Sequence, residues 1–211
     1  MTTNVVFDFG AVLFGWRPDL LVAEQFPERA ATAQAASVLA RDIFHHDDWQ
    51  SFDRGVLELD HVIVRTALRL ALPQQGMSDL MSGIGERLTP ISDTLGLLSR
   101  LRHRREQAGD LRLLFLSNMP APFARVLERR HDFLRWFDGG VFSGDVQLIK
   151  PDPAIYALLE TRYGLEPART VFVDDLAANV AVAQARGWRA IRFESAAQVE
   201  PHLMDVFGAL T

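Results

Sequence analysis

The sequence predicts an α/β fold: a parallel sheet interrupted by one large helical insert. Two observations predict it. Short apolar runs that read as strands alternate with helix-length stretches, the pattern of a parallel sheet with right-handed crossovers. That alternation breaks between about Phe14 and Leu88, where the chain reads as all-helical.

Residues 4–8 read as a buried strand, and the next run of that character is Leu111–Leu116. Gly140–Phe142, Thr170–Val173 and Trp188–Phe193 complete the predicted sheet. Ile91–Arg105 places Leu95, Leu98 and Leu101 at helical spacing. Pro120–Arg130, Pro153–Tyr163 and Leu176–Arg186 are the other core helices, the last stopped by Gly187. The insert reads as Leu20–Phe26, Glu28–Phe44, Leu59–Leu70 and Met77–Leu88, with breaks at Pro27, Gly55, Pro73 and Gly76. The expected division is a core of residues 1–13 and 89–211 and an α-helical cap of 14–88 over the carboxyl edge of the sheet.

The 211 residues suit one domain, or a core with an insert, and 48% apolar content supplies a packed core. No run approaches the ~20 apolar residues that span a bilayer, and the strand-like start leaves no room for a secretory leader. The absence of cysteine excludes disulfides and thiolate metal sites and fits a cytoplasmic protein. A net charge of -5 argues against nucleic acid, and Arg100–Arg105 reads as the wet face of a helix. A monomer or a homodimer is expected.

Four fragments converge on one site. Asp8 ends the first strand and Ser117-Asn118 the second; Asp174-Asp175 ends the fourth, and Lys150 follows the third. Lys150 is the only lysine, against 21 arginines. In an open α/β sheet, ligands bind at the carboxyl ends of the strands. Each piece alone has a plain reading, as a turn, a helix cap or a surface charge. Together they suit phosphoryl transfer. A carboxylate is a competent nucleophile toward phosphorus, but a phosphate dianion repels it. Mg²⁺ with carboxylate ligands from Asp8, Asp175 and Asp174 screens the two. A lysine, a hydroxyl and main-chain N–H groups then hold the transferring oxygens.

These motifs resemble the haloacid dehalogenase-like superfamily, in the branch of sugar-1-phosphate phosphatases and the N-terminal phosphatase domain of soluble epoxide hydrolases. The resemblance covers essentially the whole chain. It implies a Rossmann-like sheet of order 5-4-1-2-3 and Mg²⁺-dependent hydrolysis of a small phosphorylated metabolite, such as a sugar phosphate. By this resemblance Asp8, in Asp8-Phe9-Gly10-Ala11-Val12, is the nucleophile, with Ser117 and Lys150 also catalytic. Phe9, Gly10, Ser117, Asn118 and Lys150 would hold the phosphate. Asp8, the Gly10 carbonyl, Asp174 and Asp175 would hold the metal. Lys150-Pro151-Asp152-Pro153 running to Tyr156, together with Asn179, is typical of the branch.

One position departs from the pattern. Most phosphatases of the superfamily carry a second aspartate two residues after the nucleophile, as general acid and base; here it is Gly10. Such a group is worth about 10²–10⁴ in rate. A cap carboxylate (Asp47, Asp48 or Asp53) or a water is the candidate substitute. A metal-independent 2-haloacid dehalogenase, whose halide leaves without a proton, is the alternative activity; the adjacent carboxylates Asp174-Asp175 speak against it. A weak phosphometabolite-binding module is a third reading.

Smaller signals have simpler readings. His45-His46-Asp47-Asp48 reads as a solvated patch, since adjacent histidines diverge on a helix. Trp49, Phe52 and Arg54 are core or substrate-entrance residues, and Arg17 is a candidate phosphate contact.

Overall fold

Parallel strands buried on both faces need apolar residues at consecutive positions, and the chain supplies them. The computed structural model describes residues 2–207. Its sheet is built from β1 (Thr3–Phe7), β2 (Leu111–Ser117), β3 (Gly139–Phe142), β4 (Thr170–Asp174) and β5 (Arg189–Arg192). All four pairings are parallel, in the order β3-β2-β1-β4-β5. This is the expected order read from the opposite edge.

Side chains alternate between the two faces with the period of a strand. Val5 and Phe7 face one apolar layer with Leu113 and Val173, while Val6 faces the other with Leu114 and Phe172. The first layer is covered by α7 (Ser92–Ala108), α8 (Ala121–Arg130) and α11 (Ala196–Phe207), through Leu97, Leu101, Leu127, Val199 and Leu203. The second is covered by α9 (Pro153–Tyr163) and α10 (Ala177–Ala185), through Ile155, Leu159 and Ala183. Cα register pairs Phe7 with both Phe115 and Val173. The chain therefore leaves β1, β2 and β4 at one edge, which sets Asp8, Ser117 and Asp174 together.

Between β1 and α7 the chain forms α1 (Pro18–Gln25), α2 (Ala33–Phe44), α3 (Asp47–Asp53), α4 (Leu59–Leu70), α5 (Gln74–Ser82) and α6 (Ile84–Arg87). These helices meet the core through aromatic packing. Trp49 and Phe52 of α3 lie against Phe123 of α8, with ring centroids 6.3 and 5.4 Å apart. Gly85 of α6 also packs on Phe123: a Cβ there would lie 3.3 Å from its Cα.

The structure corrects the predicted insert in several places. The helix expected from Glu28 begins at Ala33, because the Thr32 hydroxyl caps it by accepting the Ala35 N–H at 3.1 Å. Residues 47–53 form a helix that the sequence reading did not assign. Gly76 breaks nothing; it lies inside α5, which starts after Pro73, and the real break separates α5 from α6 at Gly83. Beyond Phe193 no element was expected, yet α11 closes the core with Pro201 inside it. Among the described residues no helix is long and apolar enough to cross a membrane.

Candidate active site

Asp8 stands where β1 ends. Its N–H donates to the Val173 carbonyl at 2.9 Å, so the sheet fixes its main chain. The loop behind it is wound tightly: the N–H groups of Val12, Leu13 and Phe14 all donate to the Phe9 carbonyl, at 3.3, 2.9 and 2.8 Å. The fully buried Phe9 ring anchors this loop among Phe14, Phe115, Phe137 and Phe142, with centroids 4.9 to 6.0 Å away. The expectation that Phe9 binds phosphate is thus narrowed, since its side chain is core. Its N–H donates to Asp8 Oδ1 at 2.7 Å.

Lys150 joins the carboxylates. Its Nζ lies 2.8 Å from Asp8 Oδ1 and 2.6 Å from Asp174 Oδ2, and the residue is only 3% exposed. Burial works against the ammonium, but Asp174 and Asp8 outweigh it and hold Lys150 above its ordinary value. For Asp8 the balance runs the other way. Burial, reinforced by Asp174 and Asp175 and opposed by Lys150, pushes it up to about 7.

The Asn118 side chain sets the position of Lys150. It accepts the Lys150 N–H at 2.8 Å and donates to the Lys150 carbonyl at 2.9 Å. The amide is therefore engaged with the lysine loop, with one Nδ2 hydrogen left to donate.

Asp174 is similarly engaged. Its carboxylate accepts from the Leu176 N–H at 2.9 Å, from Asn179 Nδ2 at 2.9 and 3.0 Å, and from Lys150. Asn179 is held in turn by Tyr156, whose hydroxyl donates to its carbonyl at 3.1 Å. Asp175 is half-buried, and burial together with Asp174 raises its carboxyl above the ordinary value. Asp8, Asp174 and Asp175 each offer an oxygen, and these lie within 4.8 Å of one another. Such an all-oxygen set suits a hard divalent cation.

Ser117 Oγ is buried with no hydrogen-bond partner in the protein. An orphaned buried hydroxyl is costly, and one beside this cluster is suited to a ligand oxygen. Gly10 leaves open space: nothing lies within 4 Å of where its Cβ would be.

The three carboxylates of α3 separate clearly. Asp48 pairs with Arg65 at 3.1 Å and with His46 at 3.4 Å, and Asp47 is exposed at the start of α3. Asp53, at the other end of α3, is half-buried. Burial pushes its carboxyl up to about 8; a hydrogen bond from Trp49 opposes the rise and the charge of Asp8 adds to it. Its main chain is tied to the core by Ser143, whose hydroxyl donates to the Asp53 carbonyl at 2.5 Å. The sequence reading did not single out Ser143, and no local signal marks it.

The remaining residues singled out in the sequence have defined surroundings. Arg17 is exposed and paired with Asp19 at 3.0 Å. Trp49 and Phe52 are core, and Arg54 is half-buried at the end of α3. His46 caps α3 by accepting the Asp48 N–H at 3.1 Å, so the His-Asp run is structural. The arginines of Arg100–Arg105 pair with Glu200, Glu106, Asp110 and Asp138.

Comparison with known proteins agrees with this geometry. A sesquiterpene phosphatase of Aspergillus oryzae is 27% identical over 182 residues, 86% of this chain and 85% of that protein. Some other curated relatives are longer, and the match spans only 35–37% of their length. Among solved structures, an enzyme of the same superfamily from Bacteroides thetaiotaomicron, in complex with magnesium and inorganic phosphate, superposes with a TM-score of 0.68 at 17% identity, over 92% of this chain and 96% of that one. An L-2-haloacid dehalogenase from Xanthobacter autotrophicus gives 0.68 at 23% identity, over 100% and 85%. These two likenesses establish the fold. A family model of haloacid dehalogenase-like hydrolases matches residues 5–187. The chain belongs to the haloacid dehalogenase-like hydrolase family.

Proposed function

We propose that this hydrolase is a Mg²⁺-dependent phosphatase of a small phosphorylated metabolite, acting through an aspartyl phosphate on Asp8. One observation carries the reading. Lys150 bridges Asp8 and Asp174 while Asp175 offers a third carboxylate within 4.8 Å of both. Three ionised carboxylates against one ammonium leave two negative charges, which a divalent cation balances. Asp8, the Gly10 carbonyl and Asp175 are the candidate ligands, with Asp174 held back by its own hydrogen bonds. Bound there, Mg²⁺ would supply the positive charge that lets a phosphate dianion approach the carboxylates.

The chain's own residues account for the rest. Asp8, fixed by the sheet, attacks phosphorus. Ser117 Oγ donates to a phosphoryl oxygen and gains the partner it lacks. Lys150 stabilises the charge on the transferring group, on a loop positioned by Asn118. Phe9 and Asn118 contribute through main-chain N–H groups. Water then cleaves the aspartyl phosphate. The helices of 14–88 act as the cap that shapes the substrate pocket, and the cysteine-free chain suits the cytoplasm. The similarity to a sesquiterpene phosphatase supports phosphomonoester substrates and leaves room for an apolar alcohol portion beside the sugar phosphates expected from sequence.

A second reading is a 2-haloacid dehalogenase. Gly10, where a second carboxylate would serve a phosphatase, favours it, as does the fold likeness to a dehalogenase. Release of p-nitrophenol from p-nitrophenyl phosphate, with Mg²⁺ and with EDTA, decides between them. Turnover that needs Mg²⁺ and is lost in Asp8→Asn supports the phosphatase. Halide release from 2-chloropropionate, unaffected by EDTA and without phosphatase activity, supports the alternative.

A further inference from the structure

Gly10 deprives the proposed reaction of a proton donor at the usual position, and the fold supplies a carboxyl from another direction. We infer that Asp53, carried on the cap helix α3, is the general acid and base of this site. The inference rests on the phosphatase reading above.

The placement of Asp53 is built into the cap–core contact. Ser143 Oγ donates to the Asp53 carbonyl at 2.5 Å and accepts the Met119 N–H at 2.8 Å. Met119 is two residues beyond Ser117, so one hydroxyl links the end of α3 to the loop that follows this serine. Backbones touch beside it. Gly55 has φ +76°, and a Cβ there would lie 2.3 Å from the Gly144 carbonyl oxygen. The Gly144 loop is braced by Arg125, which grips Asp145 at 2.6 and 2.5 Å. Trp49 and Phe52 wedge the same helix against Phe123. The end of α3 is therefore clamped to the loop that follows Ser117, and proton transfer to a bound substrate requires such a fixed donor.

The chemistry of the position agrees. Asp53 is half-buried and has no ion-pair partner among the described residues, and burial, with a smaller contribution from the charge of Asp8, raises its carboxyl. Its carboxyl keeps its proton up to about 8, so at neutral pH it is a donor. Asp48 is committed to Arg65, and Asp47 lies at the exposed start of the helix. No atom lies within 4 Å of where a Gly10 Cβ would be, so a carboxylate can be placed back there as a test.

In the first half-reaction an Asp8 oxygen bonds to phosphorus as the bond from phosphorus to the leaving oxygen breaks. That oxygen takes the Asp53 proton and departs as the alcohol, leaving Asp53 as carboxylate. In the second, the Asp53 carboxylate takes a proton from water, whose oxygen bonds to phosphorus as the Asp8–phosphorus bond breaks. Phosphate leaves, and both aspartates return to their starting states.

Rapid-mixing kinetics with Mg²⁺ test this on p-nitrophenyl phosphate, a leaving group that needs no proton, and on phenyl phosphate, which does. Asp53→Asn preserves volume and the main-chain clamp, with far-UV circular dichroism as the folding control and Asp47→Asn as the neighbouring-carboxylate control. The expected result for Asp53→Asn is a retained burst of p-nitrophenolate followed by a steady rate about 10²–10⁴-fold lower. Its burst on phenyl phosphate falls by a similar factor. Adding Gly10→Asp to Asp53→Asn should restore part of the loss. Asp53→Asn rates unchanged in every phase, or lowered equally for both substrates in every phase, would overturn the assignment of Asp53. A wild-type protein that releases no p-nitrophenolate would instead remove the phosphatase reading, and the role of Asp53 with it.

Discussion

Replacing Lys150 by methionine keeps an unbranched chain of similar length but removes the charge that joins Asp8 to Asp174. The ammonium sits 2.8 and 2.6 Å from these carboxylates in a buried setting, so no surface water takes its place. The cheapest relief is a proton on one carboxylate. Asp8, already held near 7, is the carboxylate that takes it. Removing one partner of a buried ion pair typically costs about 3–5 kcal/mol. Urea unfolding without divalent ions, followed at pH 7 and at pH 5, reads the loss directly. The expected loss is about 3–5 kcal/mol at pH 7 and smaller at pH 5, where carboxylates left without the ammonium protonate at lower cost. Mg²⁺ should recover more stability in the variant than in the wild type, because a dication replaces the missing charge. A loss below about 1 kcal/mol, equal at the two pH values, would refute the view of Lys150 as the counter-charge of this cluster.

Asp53→Asn should stabilise the fold, and more so as pH rises. The native carboxyl, at about 8 against 3.8 unfolded, binds more protons than the unfolded chain between those values, so wild-type stability declines across that window. The full shift is worth about 6 kcal/mol. Water in the cleft screens it, and an advantage of order 1–3 kcal/mol at pH 8.5 is expected from thermal melts, shrinking toward pH 4. An advantage independent of pH would contradict the protonated Asp53. Gly55→Ala strains a positive φ and drives a Cβ into the Gly144 carbonyl. It should cost about 1–3 kcal/mol and lower kcat on phenyl phosphate more than on p-nitrophenyl phosphate, whereas equal effects on the two would deny α3 a part in proton transfer. Asn118→Ala frees the Lys150 loop. It should lower kcat about tenfold or more with little change in the urea midpoint of the sheet, and unchanged turnover would show that Lys150 needs no such guide.

The core was legible because its signals are local. Val5-Val6-Phe7 and Val171-Phe172-Val173 are apolar at every position, which only a strand buried on both faces requires. The polar residues that end these runs mark the site edge directly. The helical insert was less legible. In α3 only Trp49 and Phe52 are buried, so a seven-residue helix opening with two aspartates shows little periodicity. Pro201 disguised α11, whose burial depends on distant partners in α7. Among the site residues, Asp8, Lys150 and the aspartate pair could be read from strand ends. The Asn118 amide and the Ser143 hydroxyl could not, because their partners lie 32 and 90 residues away. The same reason left the three carboxylates of α3 equivalent in sequence, until packing committed Asp48 to Arg65 and tied the Asp53 main chain to Ser143.

The most direct test of the central claim is to quench the Asp53→Asn variant in acid during turnover of p-nitrophenyl phosphate with Mg²⁺ and to map its peptides by mass spectrometry. The account predicts one added phosphoryl group on the peptide that contains Asp8, absent with EDTA and absent in the Asp8→Asn variant. Turnover with no phosphorylated peptide, or with the phosphoryl group on another residue, would contradict the assignment of Asp8 as the nucleophile.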